Sequence, residues 1–164
     1  MLKIKRFSAK IIKTTKESDL MNIALIAHDS KKELMTQFCI AYCGILSKHN
    51  ICATGITAKY ISEATGLKIE KLFSGHGGVE QITSRVAYNE IDIVIYFRDT
   101  LQMGDFSEED KIAKELMITC DRYNIPLATN IATAEVIIMA LDRGDLDWRE
   151  LLNPNSAYNK NKRK

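Results

Sequence analysis

Short apolar runs alternate with amphipathic stretches through most of this 164-residue chain. The first run, N-I-A-L-I-A at 22–27, has no polar alternation, which suits a strand buried on both faces of a parallel sheet. Ser30 is placed to cap the helix that follows. Leu34, Phe38, Ala41 and Ile45 then recur at spacings of four and three, which predicts a core-facing stripe. A second strand is predicted at 51–53, ending at Thr54-Gly55, and a helix over 57–65 stopped by Gly66. The third strand, at 69–73, ends at Ser74-Gly75, and Gly77-Gly78 opens a helix with Val79, Ile82 and Val86 on one side. The strongest strand signal is I-D-I-V-I-Y-F at 91–97. A polar loop at 98–107 leads to Ser107 and a run of acids, a capped helix start, with Ile112, Leu116, Met117, Cys120 and Tyr123 as the apolar stripe. A fifth strand at 126–128 ends at Thr129-Asn130, and a helix over 133–141 closes the series.

Five strand–helix alternations predict a single α/β domain: a doubly wound, Rossmann-like fold on a five-stranded, mostly parallel sheet. The predicted boundaries are a basic N-terminal extension at 1–20, the domain at 21–152 and a basic tail at 153–164. Composition agrees, since 46% hydrophobic residues can bury a core. No apolar run approaches the ~18–20 residues that span a bilayer. Residues 1–20 carry six Lys/Arg against two acids, with no apolar segment or cleavage site of a signal peptide behind them. The tail adds Lys160, Lys162, Arg163 and Lys164, so at a net charge of +2 the body between is acidic. Basic ends on an acidic body do not make a nucleic-acid face, and both ends are expected to be solvated. Cys39 and Cys43 lie four apart on a helix, a spacing that could suit a metal. Their surroundings are apolar and without histidine, so buried free thiols are expected for all four cysteines, including Cys52 and Cys120. That usage suits a reducing compartment and places the protein in the cytoplasm.

In open parallel sheets, ligands bind outside the carboxyl ends of the strands. The first strand is followed by His28, Asp29, Lys31 and Lys32, and the second by Thr54, Gly55 and Thr57. The third is followed by Ser74, Gly75, His76, Gly77, Gly78 and Glu80, the fourth by Arg98 and Asp99, and the fifth by Thr129, Asn130 and Thr133. Thr-Gly and Ser-Gly pairs also serve as ordinary turns and caps. Five polar ends converging on one edge point instead to a small phosphate-ester site, because hydroxyls and helix N-terminal amides satisfy phosphate oxygens. Neither the Walker loop nor the dinucleotide glycine fingerprint is present.

At these residues the chain resembles the methylglyoxal synthase family. The shared motifs are A-H-D-x-x-K at Ala27, His28, Asp29 and Lys32; A-T-G-x-T at Ala53 to Thr57; E-A-T-G-L at Glu63 to Leu67; S-G at Ser74-Gly75; F-x-D at Phe97 and Asp99; and I-P-L-A-T-N at Ile125 to Asn130. The resemblance runs over about residues 22–153. It implies a carbon–oxygen lyase that converts dihydroxyacetone phosphate to methylglyoxal and inorganic phosphate, needs no cofactor and is a homohexamer. It implies phosphate contacts from Lys32, Thr54, Thr57, Ser74 and Gly75, with Gly55 and the backbone N–H of Ile56 in the same turn. It also implies a substrate-oxygen contact from His28, with Asp29 and Asp99 as supporting acids.

Three positions depart from the family pattern. The family's base is an aspartate six residues after the S-G serine, where this chain has Glu80. The fourth residue of A-T-G-T-T is Ile56 here, which offers only its N–H. The loop after the fourth strand is longer and lacks the family's histidine, a role His76 could take over. Glu80 therefore reads either as the proton-abstracting base or as an ordinary first-turn acid favoured by the helix dipole. A glutamate can do this chemistry, as in triosephosphate isomerase. Beside the lyase stand two alternatives: a catalytically weak module of the same fold that binds a phosphorylated metabolite, as related domains do in carbamoyl phosphate synthetases, and a lyase or isomerase for another sugar phosphate.

Overall fold

The computed structural model describes residues 20–101 and 107–162. The basic extension expected at 1–20 lies almost wholly outside the described residues, as does the stretch 102–106 of the loop expected at 98–107. Strands β1 (Asn22–Ala27), β2 (Asn50–Ala53), β3 (Ile69–Lys71), β4 (Ile93–Phe97) and β5 (Leu127–Ala128) form one sheet in the order β3-β2-β1-β4-β5. Every pairing is parallel. The helices are α1 (Lys32–Ala41), α2 (Cys43–Leu46), α3 (Gly55–Thr65), α4 (His76–Ala87), α5 (Glu108–Tyr123), α6 (Ile131–Asp142) and α7 (Ala157–Lys162).

The central strands are apolar on both sides because helices cover both faces. Ile23, Leu25, Ile93 and Ile95 pack with Phe38 of α1, Ile61 of α3 and Ile138 of α6. Ala24, Ile26, Val94 and Tyr96 pack with Ile82 and Val86 of α4 and Leu116 and Cys120 of α5. Each fully buried Ile or Leu contributes roughly 1.5–3 kcal/mol. The chain is thus doubly wound, with α1, α3 and α6 on one face and α4 and α5 on the other.

Local details differ from the pattern. Ser30 caps nothing; its hydroxyl donates to Asp99 Oδ2 at 2.7 Å, and a 3-10 turn (Asp29–Lys31) precedes α1. That turn shifts the helix phase, so Met35, Phe38 and Cys39 are buried while Leu34 and Ala41 are exposed. In α5 the buried positions are Ala113, Leu116, Thr119 and Cys120, with Ile112, Met117 and Tyr123 half-buried at the edges of the stripe. Ser107 does cap α5, and Gly66 ends α3 at φ 72°. Cys39, Cys52 and Cys120 are buried free thiols, and Cys43 is half-buried.

Beyond Leu152, where a solvated tail is expected, Asn159 of α7 donates its side-chain amide to the Asn153 carbonyl at 2.7 Å. A second fastening lies just before it. Arg149 is fully buried, donates to the Asn124 carbonyl at 2.8 Å and faces Asp92, whose Oδ2 accepts the Asn22 N–H at 2.8 Å. No helix among the described residues is long and apolar enough to cross a membrane.

Candidate active site

The chain leaves β1 for α1 on one face and leaves β4 for α5 on the other, so a crevice opens between the carboxyl ends of these neighbours. His28, the first residue after β1, sits there. Its N–H bonds to the Phe97 carbonyl at 3.1 Å, and its Nδ1 accepts the Asp99 N–H at 2.9 Å. An accepting Nδ1 places the ring proton on Nε2, which lies 2.9 Å from the Tyr96 hydroxyl. The imidazole is therefore a neutral Nε2–H donor aimed at the crevice. Burial, with Glu109 next, pushes the Tyr96 phenol up to about 12, so it stays protonated and can also donate. Asp99 does not line the cleft; it orients His28 through its backbone. The Ser30 hydroxyl and the Leu101 N–H hold its carboxyl below the usual carboxylate range.

A cleft of about 360 Å³ extends from His28 along α3 and α4. Asp29, Lys32, Thr54, Ile56, Thr57, Gly75 and His76 line it. Thr57 is fully buried, and the Thr54 hydroxyl donates to it at 3.3 Å. Neither Thr54 before α3 nor Gly75 before α4 caps its helix with a side chain; the Gly55 N–H bonds the Phe73 carbonyl at 3.2 Å and the Gly78 N–H the Gly75 carbonyl at 3.2 Å, which leaves the N–H groups of Ile56, Thr57, His76 and Gly77 to meet an anion. Gly75 is held at φ 61°, ψ −141°, a conformation reserved for glycine. The two turns interlock: a Cβ on Gly55 would strike the Ser74 hydroxyl, and one on Gly78 would strike the Phe73 carbonyl. Gly55 and Ser74 thus hold the turns together but do not line the cleft. Lys32 pairs with Asp29, which holds that carboxyl below its ordinary range.

Besides Asp99, Gly55 and Ser74, two further expectations are corrected. Glu80 is exposed and lines a separate groove between α4 and α5 with Thr83, Ser84 and Glu115. One residue is about 100° of helix rotation, so Val79 faces the cleft and Glu80 turns away. The loop after β5 is also absent from the cleft, because Asn130 caps α6 by accepting the Thr133 N–H at 3.0 Å. The cleft instead takes in Tyr96, Glu109, Asp110 and Ile112. The Ser107 cap followed by acids was the available signal for the two carboxylates, since it sets the first turn of α5 just beyond the end of β4.

Fold and site define an open α/β domain with a polar cleft at its topological switch point. Residues 36–129 match the MGS-like domain family. The chain is 57% identical to the methylglyoxal synthase of Caldicellulosiruptor saccharolyticus, over 85% of this chain and 98% of that one. It is 51% identical to the enzyme of Oceanobacillus iheyensis, over 80% and 93%. The crystal structure of methylglyoxal synthase from Elizabethkingia anophelis matches 73% of this chain and 77% of that one, at 35% identity and a TM-score of 0.65. The chain belongs to the methylglyoxal synthase-like family.

Proposed function

We propose that the chain is a phosphate-eliminating lyase that converts dihydroxyacetone phosphate to methylglyoxal and inorganic phosphate. The observation that carries this is the seat formed by Lys32, Thr54, Thr57, Gly75 and two uncapped helix N-termini, opening beside the Nε2–H of His28. The phosphate is held by charge, hydroxyls and amides. His28 and Tyr96 donate to the carbonyl oxygen, whose developing charge they stabilise. A carboxylate removes a proton from the hydroxymethyl carbon. The seat keeps the phosphate ester bond aligned with the enediolate, so the phosphate leaves before the carbon is reprotonated. Ile56 contributes its backbone N–H alone, and His76, at the start of α4, is a further donor in the cleft. In this reading the protein works in the cytoplasm and self-associates.

One observation favours a second reading: Val79, an apolar residue, faces the cleft where the sequence led us to expect a base. A phosphorylated metabolite could then bind without reacting. Incubation with dihydroxyacetone phosphate separates the two. The lyase should release methylglyoxal and phosphate in equal amounts. Saturable binding of the substrate with neither product would establish the binding module in its place.

A further inference from the structure

The proposed elimination needs a carboxylate in the cleft, and Glu80 is not there. We infer that Glu109, on the first turn of α5, is the base that takes the proton from the hydroxymethyl carbon; this rests on the lyase reading above. Three acids line the cleft: Asp29, Glu109 and Asp110. Asp29 is committed to Lys32. Asp110 is committed to the helix cap, its Oδ2 accepting from the Ser107 hydroxyl at 2.8 Å while its N–H donates back at 3.1 Å. Glu108 points elsewhere, toward Lys111. Among the described residues Glu109 alone of the three has a carboxylate without a hydrogen-bond or ion-pair partner.

Its direction is fixed by the helix. Ile112, three residues on and so on the same side of α5, also lines the cleft. Its charge reaches Tyr96, which is bonded to His28. A base and two carbonyl donors therefore border one cleft together with the phosphate seat. In the reaction Glu109 takes the C–H proton, and the pair left behind forms the enediolate double bond. The adjacent hydroxyl gives its proton to the departing phosphate as its electrons form the aldehyde and the C–O ester bond breaks. The double bond moves to the carbon that held the phosphate, and Glu109 returns its proton to that terminal carbon of the enolate, which gives methylglyoxal and restores the carboxylate.

The test compares Glu109→Gln with Glu80→Gln. Glu109→Gln should lower both methylglyoxal formation and exchange of the substrate's hydroxymethyl hydrogen with deuterated solvent by roughly 10²–10⁴-fold. Calorimetric binding of inorganic phosphate should be unchanged, which also shows that the variant folds. Glu109→Asp should recover part of the loss, and Glu80→Gln should match the wild type. An active wild type with a Glu109→Gln variant within about tenfold of it would overturn the assignment alone. A wild type that binds substrate but gives neither exchange nor methylglyoxal would overturn the lyase reading and the assignment together.

Discussion

Two histidines accept a backbone N–H through Nδ1, one at each end of the sheet. His28 accepts from Asp99 within the cleft, whereas His49 accepts from Met21 at 3.3 Å, at the other end of the sheet. Burial, with Lys48 next, pulls His49 below its ordinary 6.5. Its folded form holds the proton less tightly than the unfolded chain. As pH drops below 6.5, the unfolded chain gains the proton first and stability declines, until the folded pKa is passed. Thermal melts between neutral pH and pH 5 should show the midpoint falling in the wild type. His49→Asn keeps an acceptor but cannot titrate, so its melting profile should be flatter; equal slopes would remove His49 as the cause. The lowered carboxyls of Asp29 and Asp99 titrate below their ordinary 3.8, outside this window.

The turn–helix junctions set the shape of the cleft. At Gly78 a Cβ would drive into the Phe73 carbonyl and come within 2.9 Å of Thr54 Cγ2, so α4 would have to move off β3. Gly78→Ala should therefore cost more than about 2 kcal/mol in urea denaturation and weaken phosphate binding at the same time. An unchanged denaturation midpoint would show that the junction yields freely. The same junction explains what was legible in the sequence. Strands were legible because β1 and β4 are nearly unbroken apolar runs, and part of the cleft lining was legible because His28 and Thr54 follow β1 and β2 directly. The facing of helices was not. Leu34 and Met35 are adjacent apolar residues, and only the 3-10 turn decides which goes inward. The facing of Glu80 was hidden for a related reason: the turn at Gly75 sets the phase of α4, and one position along the helix carries a side chain out of the cleft.

At the scale of the molecule, large apolar side chains remain outside. Tyr60, Phe73, Tyr88 and Val136 are each more than half exposed. Equilibrium sedimentation at micromolar concentration should show a species heavier than the 18.6 kDa monomer. A single monomeric species would leave these residues without a partner of their own kind. The strand order carries a further consequence, for the route by which the chain folds. Asn22 and Asn50, on paired β1 and β2, are 28 residues apart, whereas Asn22 and Asp92, where β1 meets β4, are 70 apart. Closing the longer loop costs more chain entropy, so the β1–β4 seam should zip after the first three strands have met. The proposed phosphate seat draws on residues 32–75, all on the early side of that step, while the ring of His28 is aligned by Asp99 on the late side. A nascent chain could thus grip its anion before the donor that polarises the carbonyl is in place, and competence to react would arrive with the last long-range pairing.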